Sequence, residues 1–256
     1  MTDQTFRHYF DENGFFCSEG LLSFCQCNTH HQMSIYELFR LTSDAATEDF
    51  CRRGFSWHVL KSHDIAILLS RQSFRIHKWP KANGSMKICT REEAPMPLQT
   101  TRYCVIYDSE TGEKLVSGYS LWIVVDLKTR KILRTSAFTL RPDPTFATEV
   151  DWIPPGKIHI DSVDFQDENN CTLRKIFYSD MDANGHLNNA RYGDFITDAI
   201  PDALQDKITD IRINFAKEAS AGDSLTVCKN YNRDEGKIVV VGKNGDEICF
   251  ESEVFF

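Results

Sequence analysis

The chain repeats a helix pattern once, and this repeat limits its fold more than any other feature of its 256 residues. Tyr36 and Phe39 stand three positions apart in the first copy, as Tyr192 and Phe195 do in the second. Aromatic residues at this spacing lie on one face of a helix, so each copy predicts a helix with one apolar face. Pro201 predicts the end of the second helix.

Similar strand patterns follow each predicted helix. The run Phe74–Ile76 resembles Ile211–Ile213, and the run Gly84–Cys89 resembles Gly222–Cys228. Each copy then closes with alternating strands around a turn, and the second turn contains the Asn-Gly pair typical of a hairpin. A sheet with one apolar face buries that face against an apolar helix. The sequence therefore predicts an α+β fold made of two helix-and-sheet halves.

The stretch 141–156 holds four of the eight prolines and predicts the connection between the halves. We therefore predict a first domain over residues 1–140, a linker over 141–156 and a second domain over 157–256.

Composition narrows the classes of partner. The net charge of −8 argues against nucleic acid, and no apolar run approaches the ~20 residues that would insert into a membrane. The first residues lack the basic start and apolar stretch of a secretory signal. Basic residues between Arg71 and Lys87 form a candidate patch for an acidic partner, with scattered surface lysines as the alternative.

The nine cysteines are odd in number, and several fall inside strand-like runs, for example Cys89, Cys104, Cys228 and Cys249. We interpret these as small apolar residues rather than disulfide partners, which predicts a cytoplasmic protein. The pair Cys25 and Cys27 lacks a second matched pair of ligands, so no metal site is predicted there.

The segment between residues 179 and 189 concentrates reactive side chains, with Asp182, Asn184 and His186 around Gly185. It lies between a strand-like run and the second predicted helix. Backbone amides at Gly185 and His186 are predicted donors for a carbonyl oxygen that becomes negative when attacked. Helix capping and turn formation are the alternative for Asp and Asn, but they do not require a histidine.

Glu218 is the candidate base, because a hydrolase without a serine or cysteine nucleophile must activate water. It follows the predicted strand Ile211–Phe215, whereas the matching stretch of the first copy, His77–Gly84, contains no acid. A carboxylate in one copy alone predicts a single site at the seam of the two halves. A solvated surface glutamate beside Lys217 is the alternative.

The run Asp182–Tyr192 resembles the D-x-N-x-H-V-N-N-x-x-Y signature of plant and bacterial acyl-acyl carrier protein thioesterases. Lys217–Asp223 resembles the family strand that carries a glutamate, and Trp122–Arg130 resembles its W-x-x-x-D-x-x-T-R pattern. The resemblance covers nearly the whole chain. It implies two tandem hotdog domains that form a pseudo-dimer and need no cofactor.

The resemblance also implies a reaction and a partner, namely the release of free fatty acid from acyl carrier protein. Asp182, Asn184, His186 and Glu218 are then the catalytic set, in which Glu218 activates water and the other three orient water and thioester. Plant members commonly carry cysteine after this glutamate, whereas this chain has Ala219. Cysteine catalysis at that place is therefore excluded.

Several alternatives stay open on sequence alone. An acyl-CoA thioesterase on the same fold shares the site chemistry, and a non-catalytic acyl-binding regulatory protein would not need Glu218. The oligomeric state, including a homodimer, is open. Plant members carry a plastid-targeting extension; since none is recognised here, we expect a bacterial protein. Aligned on Tyr36 and Tyr192, Asn28 and His30 fall opposite Asn184 and His186, which suggests a decayed second site.

Overall fold

Eleven strands form one antiparallel sheet in the computed structural model, which describes residues 6–138, 157, 158, 160 and 169–256. The predicted linker 141–156 lies outside the described residues. The first half contains β1 (Arg7–Phe10), β2 (Phe16–Leu21), α1 (Ile35–Arg52), α2 (Trp57–Ser62), β3 (Ile65–Ile76), β4 (Ser85–Glu92), β5 (Thr100–Asp108) and β6 (Lys114–Asp126). The second half contains β7 (Cys171–Lys175), α3 (Arg191–Ala199), α4 (Asp202–Gln205), β8 (Asp210–Phe215), β9 (Ser224–Asn232), β10 (Lys237–Asn244) and β11 (Glu247–Phe255).

The strand order confirms the predicted duplication. The strands run β1-β2-β4-β5-β6-β3-β8-β11-β10-β9-β7 across the sheet. Outwards from the β3–β8 contact, the first half has β3, β6, β5, β4 and β2, and the second half has β8, β11, β10, β9 and β7. The two orders match, so β4 corresponds to β9 and β2 to β7; β1 has no counterpart among the strands that the structure describes. The fold is α+β, with each half a helix covered by antiparallel strands, and the two halves share one sheet.

The two long helices pack against each other inside the curved sheet. Phe39 of α1 and Tyr192 and Phe195 of α3 are buried, which confirms the predicted apolar faces. A methyl group on Gly193 would lie 2.8 Å from the backbone nitrogen of Tyr36. The glycine therefore allows the two helix backbones to approach closely.

We expect Gly193→Ala to lower the free energy of unfolding by up to about 2 kcal/mol. Alanine gains roughly 1 kcal/mol in helix propensity, but overpacking against backbone costs about 1–3 kcal/mol, and backbone cannot rotate away as a side chain can. Urea unfolding measures the difference, with Thr47→Ala at an exposed position of α1 as the control. An unchanged or higher midpoint would show that the helices separate without cost.

Two disulfides join facing strands, and they correct the interpretation of two cysteines. Cys17 of β2 pairs with Cys89 of β4, and Cys171 of β7 pairs with Cys228 of β9. In both cases the two residues are direct register partners. Treating Cys89 and Cys228 as unpaired was wrong, because apolar neighbours within a strand do not reveal a cysteine on the strand opposite. The argument for a reducing compartment is weakened accordingly.

The remaining cysteines are free, with Cys104 and Cys249 buried as predicted. We therefore expect four of the nine cysteines to resist alkylation in denaturant until a reductant is added. Peptide mass spectrometry after differential labelling makes this measurement. Labelling of Cys17 or Cys171 before reduction would contradict the pairing.

Candidate active site

The predicted motif forms a tight turn between β7 and α3, and Asp182 holds it together. Its Oδ1 accepts hydrogen bonds from the backbone amides of Asn184 at 2.8 Å and His186 at 3.2 Å. Its Oδ2 accepts from the side-chain amide of Asn184 at 3.4 Å. Gly185 has a φ of +80°, a conformation that favours glycine. One carboxylate thus fixes both the backbone of the turn and the side chain of Asn184.

A backbone bond brings Glu218 to this turn. The amide of Leu187 donates to the carbonyl of Ala219 at 2.8 Å, which ties the segment after β8 to the motif. As a result, His186 Nε2 lies 3.2 Å from Glu218 Oε2. The two side chains are 30% and 47% exposed, so water reaches both of them. The structure therefore places all four predicted side chains in one accessible group.

The two amides predicted to receive the oxyanion are not at a helix N-terminus. The helix α3 begins at Arg191, well after the turn. The amide of Gly185 donates to the Asp182 carbonyl at 3.1 Å, and that of His186 donates to the Asp182 side chain. The sequence could not distinguish amides in a turn from amides at a helix N-terminus, because turns and helix starts favour the same Asp, Asn and Gly residues.

The inner wall of the site is aromatic. The buried ring of Tyr192 lies 5.6 Å from the ring of Phe215 and 4.9 Å from that of Phe250. Burial raises the pKa of the Tyr192 phenol, and the nearby Cys249 and Glu218 raise it further. The phenol therefore stays neutral at physiological pH. The sequence identified Tyr192 as a helix-face residue and as the last residue of the signature-like run, but not as part of the site, since nothing in its local pattern shows what the face contacts.

The first half contains the same turn without the same chemistry. Asn28 Oδ1 accepts from the amides of His30 at 3.0 Å and Gln32 at 3.1 Å, and His31 adopts φ +56° where the second turn has Gly185. Asn28, His30 and Gln32 therefore correspond to Asp182, Asn184 and His186.

The alignment on Tyr36 and Tyr192 was consequently wrong by two residues in this turn. The helix α1 begins three positions after Gln32, whereas α3 begins five positions after His186. The longer connection in the second half moves its tyrosine relative to the turn. A comparison of helix patterns cannot detect such a local insertion.

Trp79 occupies the first-half position that corresponds to Glu218. The amide of Met33 donates to the carbonyl of Pro80 at 2.9 Å, just as Leu187 donates to Ala219. Trp79 is buried, and His30 contacts Asp202 of α4 at 3.1 Å instead of a partner beside the turn. Across the described ranges, a glutamate beside this turn contacts a turn residue in the second half alone, where Glu218 contacts His186. No cluster of three or more His, Cys, Asp or Glu residues in these ranges could hold a metal ion.

Comparisons with known proteins follow the same division into halves. The sequence profile of the acyl-ACP thioesterase N-terminal domain matches residues 16–137, and that of the C-terminal domain matches residues 164–250. The oleoyl-acyl carrier protein thioesterase 2 of Arabidopsis thaliana is 25% identical over 80% of this chain and 58% of its own length. The palmitoyl-acyl carrier protein thioesterase of Gossypium hirsutum is 22% identical over 73% and 45%. The chain thus spans about half the length of the curated relatives it matches.

Solved structures share the whole fold. An acyl-ACP thioesterase from Bacteroides thetaiotaomicron superposes with a TM-score of 0.85 at 24% identity, covering 96% of this chain and 98% of that one. The 12:0-ACP thioesterase of Umbellularia californica gives 0.80 at 15% identity, covering 94% and 96%. The fold is therefore a double hotdog. Because the two profile matches together cover well over half of its residues, the chain belongs to the acyl-ACP thioesterase family.

Proposed function

We propose that the chain hydrolyses the thioester of fatty acyl-acyl carrier protein to free fatty acid and carrier protein. The observation that carries this proposal is the 3.2 Å contact between His186 and Glu218 beside the turn held by Asp182. It joins a carboxylate and an imidazole that are both partly exposed, beside the amide side chain that Asp182 holds. Family membership supports the same reaction.

In this proposal Glu218 takes a proton from the attacking water, a contribution of typically 10²–10⁴-fold in rate. His186 contacts Glu218 directly, so it positions the carboxylate and the water. The exposed side chain of Asn184, held by Asp182, orients the water and the thioester. The thiolate needs little help in leaving, and Ala219 supplies no competing nucleophile.

We further propose that the amides of Gly185 and His186 stabilise the oxyanion. Both already donate to Asp182, so a substrate oxygen has to share one of these bonds. The His186 amide makes the slightly longer bond, 3.2 Å to Asp182 Oδ1 against 3.1 Å from the Gly185 amide to the Asp182 carbonyl, and is the easier one to share. Removing one oxyanion donor in other enzymes costs about 10²–10³-fold in kcat.

Free fatty acid release from matched acyl-carrier-protein and acyl-CoA thioesters tests the function. We expect the carrier-protein thioesters to be hydrolysed with the higher kcat/KM, because the carrier adds a docking surface that CoA lacks. Higher kcat/KM for CoA thioesters would favour the acyl-CoA alternative. Binding of acyl chains without turnover would identify a non-catalytic acyl-binding protein.

The predicted basic patch is partly neutralised in the structure. Arg75 contacts Asp210 at 3.1 Å, and Lys78 contacts Glu113 at 2.6 Å. Docking of an acidic carrier on this patch would therefore depend on its other cations, such as Lys81 and Lys87. Carrier docking stays a prediction, and a fall in kcat/KM with rising salt is the expected sign of it.

We also propose where in the cell the reaction takes place. No described helix is long and apolar enough to cross a bilayer. A bacterial cytoplasmic location stays part of the proposal. The two disulfides count against a reducing compartment, because disulfides are rare in the cytosol. Cell fractionation tests the location. Light scattering tests whether the chain forms a homodimer.

A further inference from the structure

A row of buried polar side chains crosses the helix-facing side of the first-half sheet. We define the polar row as Gln72 of β3, Ser120 of β6 and Arg102 of β5. Ser120 is the register partner of both Gln72 and Arg102, so the three lie side by side. They are 2%, 9% and 2% exposed. Helix-facing positions of such a sheet are normally apolar, because a buried polar group costs free energy unless it is hydrogen-bonded.

Contacts with α1 place the polar row between helix and sheet. Gln72 Nε2 donates to Ser43 Oγ at 3.4 Å, and Arg102 Nη1 lies 2.7 Å from Asp49 Oδ2. The second oxygen of Asp49 contacts Arg53 at 2.6 Å, so the ion pair is shared by two guanidinium groups. These contacts hold the two outer members of the row in place and leave other atoms on the same side chains unused.

The unused atoms are complementary. Among the residues that the structure describes, Gln72 Oε1 is a buried acceptor without a hydrogen-bond partner, and Arg102 Nε and Nη2 are buried donors without one. Ser120 Oγ, between them, accepts from Trp122 Nε1 at 2.8 Å. A native interior rarely leaves such groups unpaired, so each of them indicates a missing partner. The one acceptor and the two donors lie in the same layer between helix and sheet. They fit a small chemical group that both donates and accepts hydrogen bonds.

A continuous line of contacts joins the polar row to the candidate active site. Phe215, three residues before Glu218, packs on the cluster that contains Trp122. The ring of Trp122 lies 6.4 Å from that of Phe50, and the Arg102 guanidinium lies 4.6 Å above the Phe50 ring. We take these aromatic side chains as the route of a substrate chain from Glu218 to the row.

The distance suits the far part of an acyl chain. Gln72 is in register with Ile213, five residues before Glu218. Because β8 ends at Phe215, only part of this stretch is strand, and at about 3.4 Å per residue roughly 17 Å is its upper limit. Gln72 therefore lies at most about this far from Glu218 along the chain, a span that a fatty acyl chain covers.

We propose that the polar row is a specificity subsite for a hydroxyl group on the distal part of the acyl chain. This inference rests on the proposed thioesterase function and adds its substrate class, hydroxylated fatty acyl thioesters. A hydroxyl donates one hydrogen bond and accepts two, so it has a bond to offer both to the acceptor Gln72 Oε1 and to the donors of Arg102. A methylene at the same place leaves the acceptor and the donors unpaired. Sites of this kind discriminate strongly against the ligand that lacks the polar group.

The test compares chains of equal length that are saturated or carry one hydroxyl beside the thioester, in the middle or near the far end. Each is presented on acyl carrier protein, and the ratio of kcat/KM values is measured within one preparation, so the folded fraction cancels. For wild type we expect a preference of at least about 10-fold for a hydroxyl in the distal half, as for one hydrogen-bonded buried group. A hydroxyl beside the thioester should give no preference.

Two variants locate the preference in the polar row. Gln72→Leu removes the acceptor without disturbing an ion pair, and the ratio should fall to about one. Arg102→Lys keeps a cation for Asp49 but loses the planar donors, so the ratio should also fall. Gln32→Leu is the matched control, because Gln32 is likewise buried, with an Oε1 that no described residue pairs, but lies in the first-half turn. Its ratio should equal that of wild type.

The outcomes separate this inference from the proposed function. Efficient hydrolysis of saturated chains without preference for any hydroxyl would overturn the subsite and leave the thioesterase intact. A preference that survives in Gln72→Leu and Arg102→Lys would also overturn it. No hydrolysis of any thioester would overturn the proposed function, and the role of the row in substrate choice with it.

Discussion

Glu218→Gln should lower kcat for hydrolysis of acyl-acyl carrier protein by about 10²–10⁴-fold, which is the range for loss of a general base. Glutamine has the same shape and can still contact His186, but its amide does not take a proton from water at neutral pH. KM should stay within a few-fold, because the exposed carboxylate is not part of the aromatic wall. Fatty acid release at saturating substrate gives kcat directly.

Glu247→Gln is the matched control for this substitution. Glu247 is an exposed glutamate that contacts Lys217, the residue before Glu218, at 2.9 Å. Surface ion pairs of this kind contribute little, so turnover should be close to wild type. Full activity of Glu218→Gln would reject Glu218 as the base. Equal losses in both variants would show that the segment, rather than the carboxylate, had been disturbed.

Asp182→Ala should lower kcat by at least about 10²-fold, because the carboxylate holds two amides and the Asn184 side chain in place and misplacing such groups is costly. Asp182→Asn should be an intermediate case. Its oxygen can still accept both amides, but its NH₂ group would face the NH₂ group of Asn184. We expect a loss of about 10-fold, measured by the same fatty acid release.

The first half supplies the control for Asp182→Asn. There Asn28 accepts the same two amides, so an asparagine is sufficient to form the turn. Unchanged thermal stability of Asp182→Asn would therefore assign its lost activity to the orientation of Asn184. The reverse exchange, Asn28→Asp, should leave turnover unchanged. A large loss in Asn28→Asp would mean that the first-half turn also takes part in the reaction.

Local patterns were sufficient to predict the two long helices, the turn before β11 and the duplication, but not the short helices α2 and α4. The spacing of Tyr192 and Phe195 identified the buried face of α3, and the Asn-Gly pair identified the turn before β11. Such features depend on the conformational preferences of residues a few positions apart, so a short segment of sequence is enough to predict them. Asp182, Asn184 and His186 were likewise found together because one turn holds all three.

Features that join distant segments were not predictable in this way. The pairing of Cys17 with Cys89 depends on strand register, which a single strand does not encode. The correspondence between Trp79 and Glu218 emerged only from backbone bonds in the two turns. The position of Arg102 beside Asp49 likewise joins a strand to a helix far away in sequence. Charged residues usually lie on the surface, so no local sequence pattern predicts that these two are buried.

The contact between β3 and β8 has a consequence for synthesis on the ribosome. Five consecutive register pairs, from Arg71 to Arg75 on the β3 side, join the halves in the middle of the sheet. The strand β8 ends at Phe215, roughly 140 residues after β3 ends at Ile76. At about 5–20 residues per second, the nascent first half waits on the order of ten seconds with the free edge of a 12-residue strand. An open edge of this length is a template for pairing with other chains, so early termination products should aggregate and the growing chain should depend on chaperones.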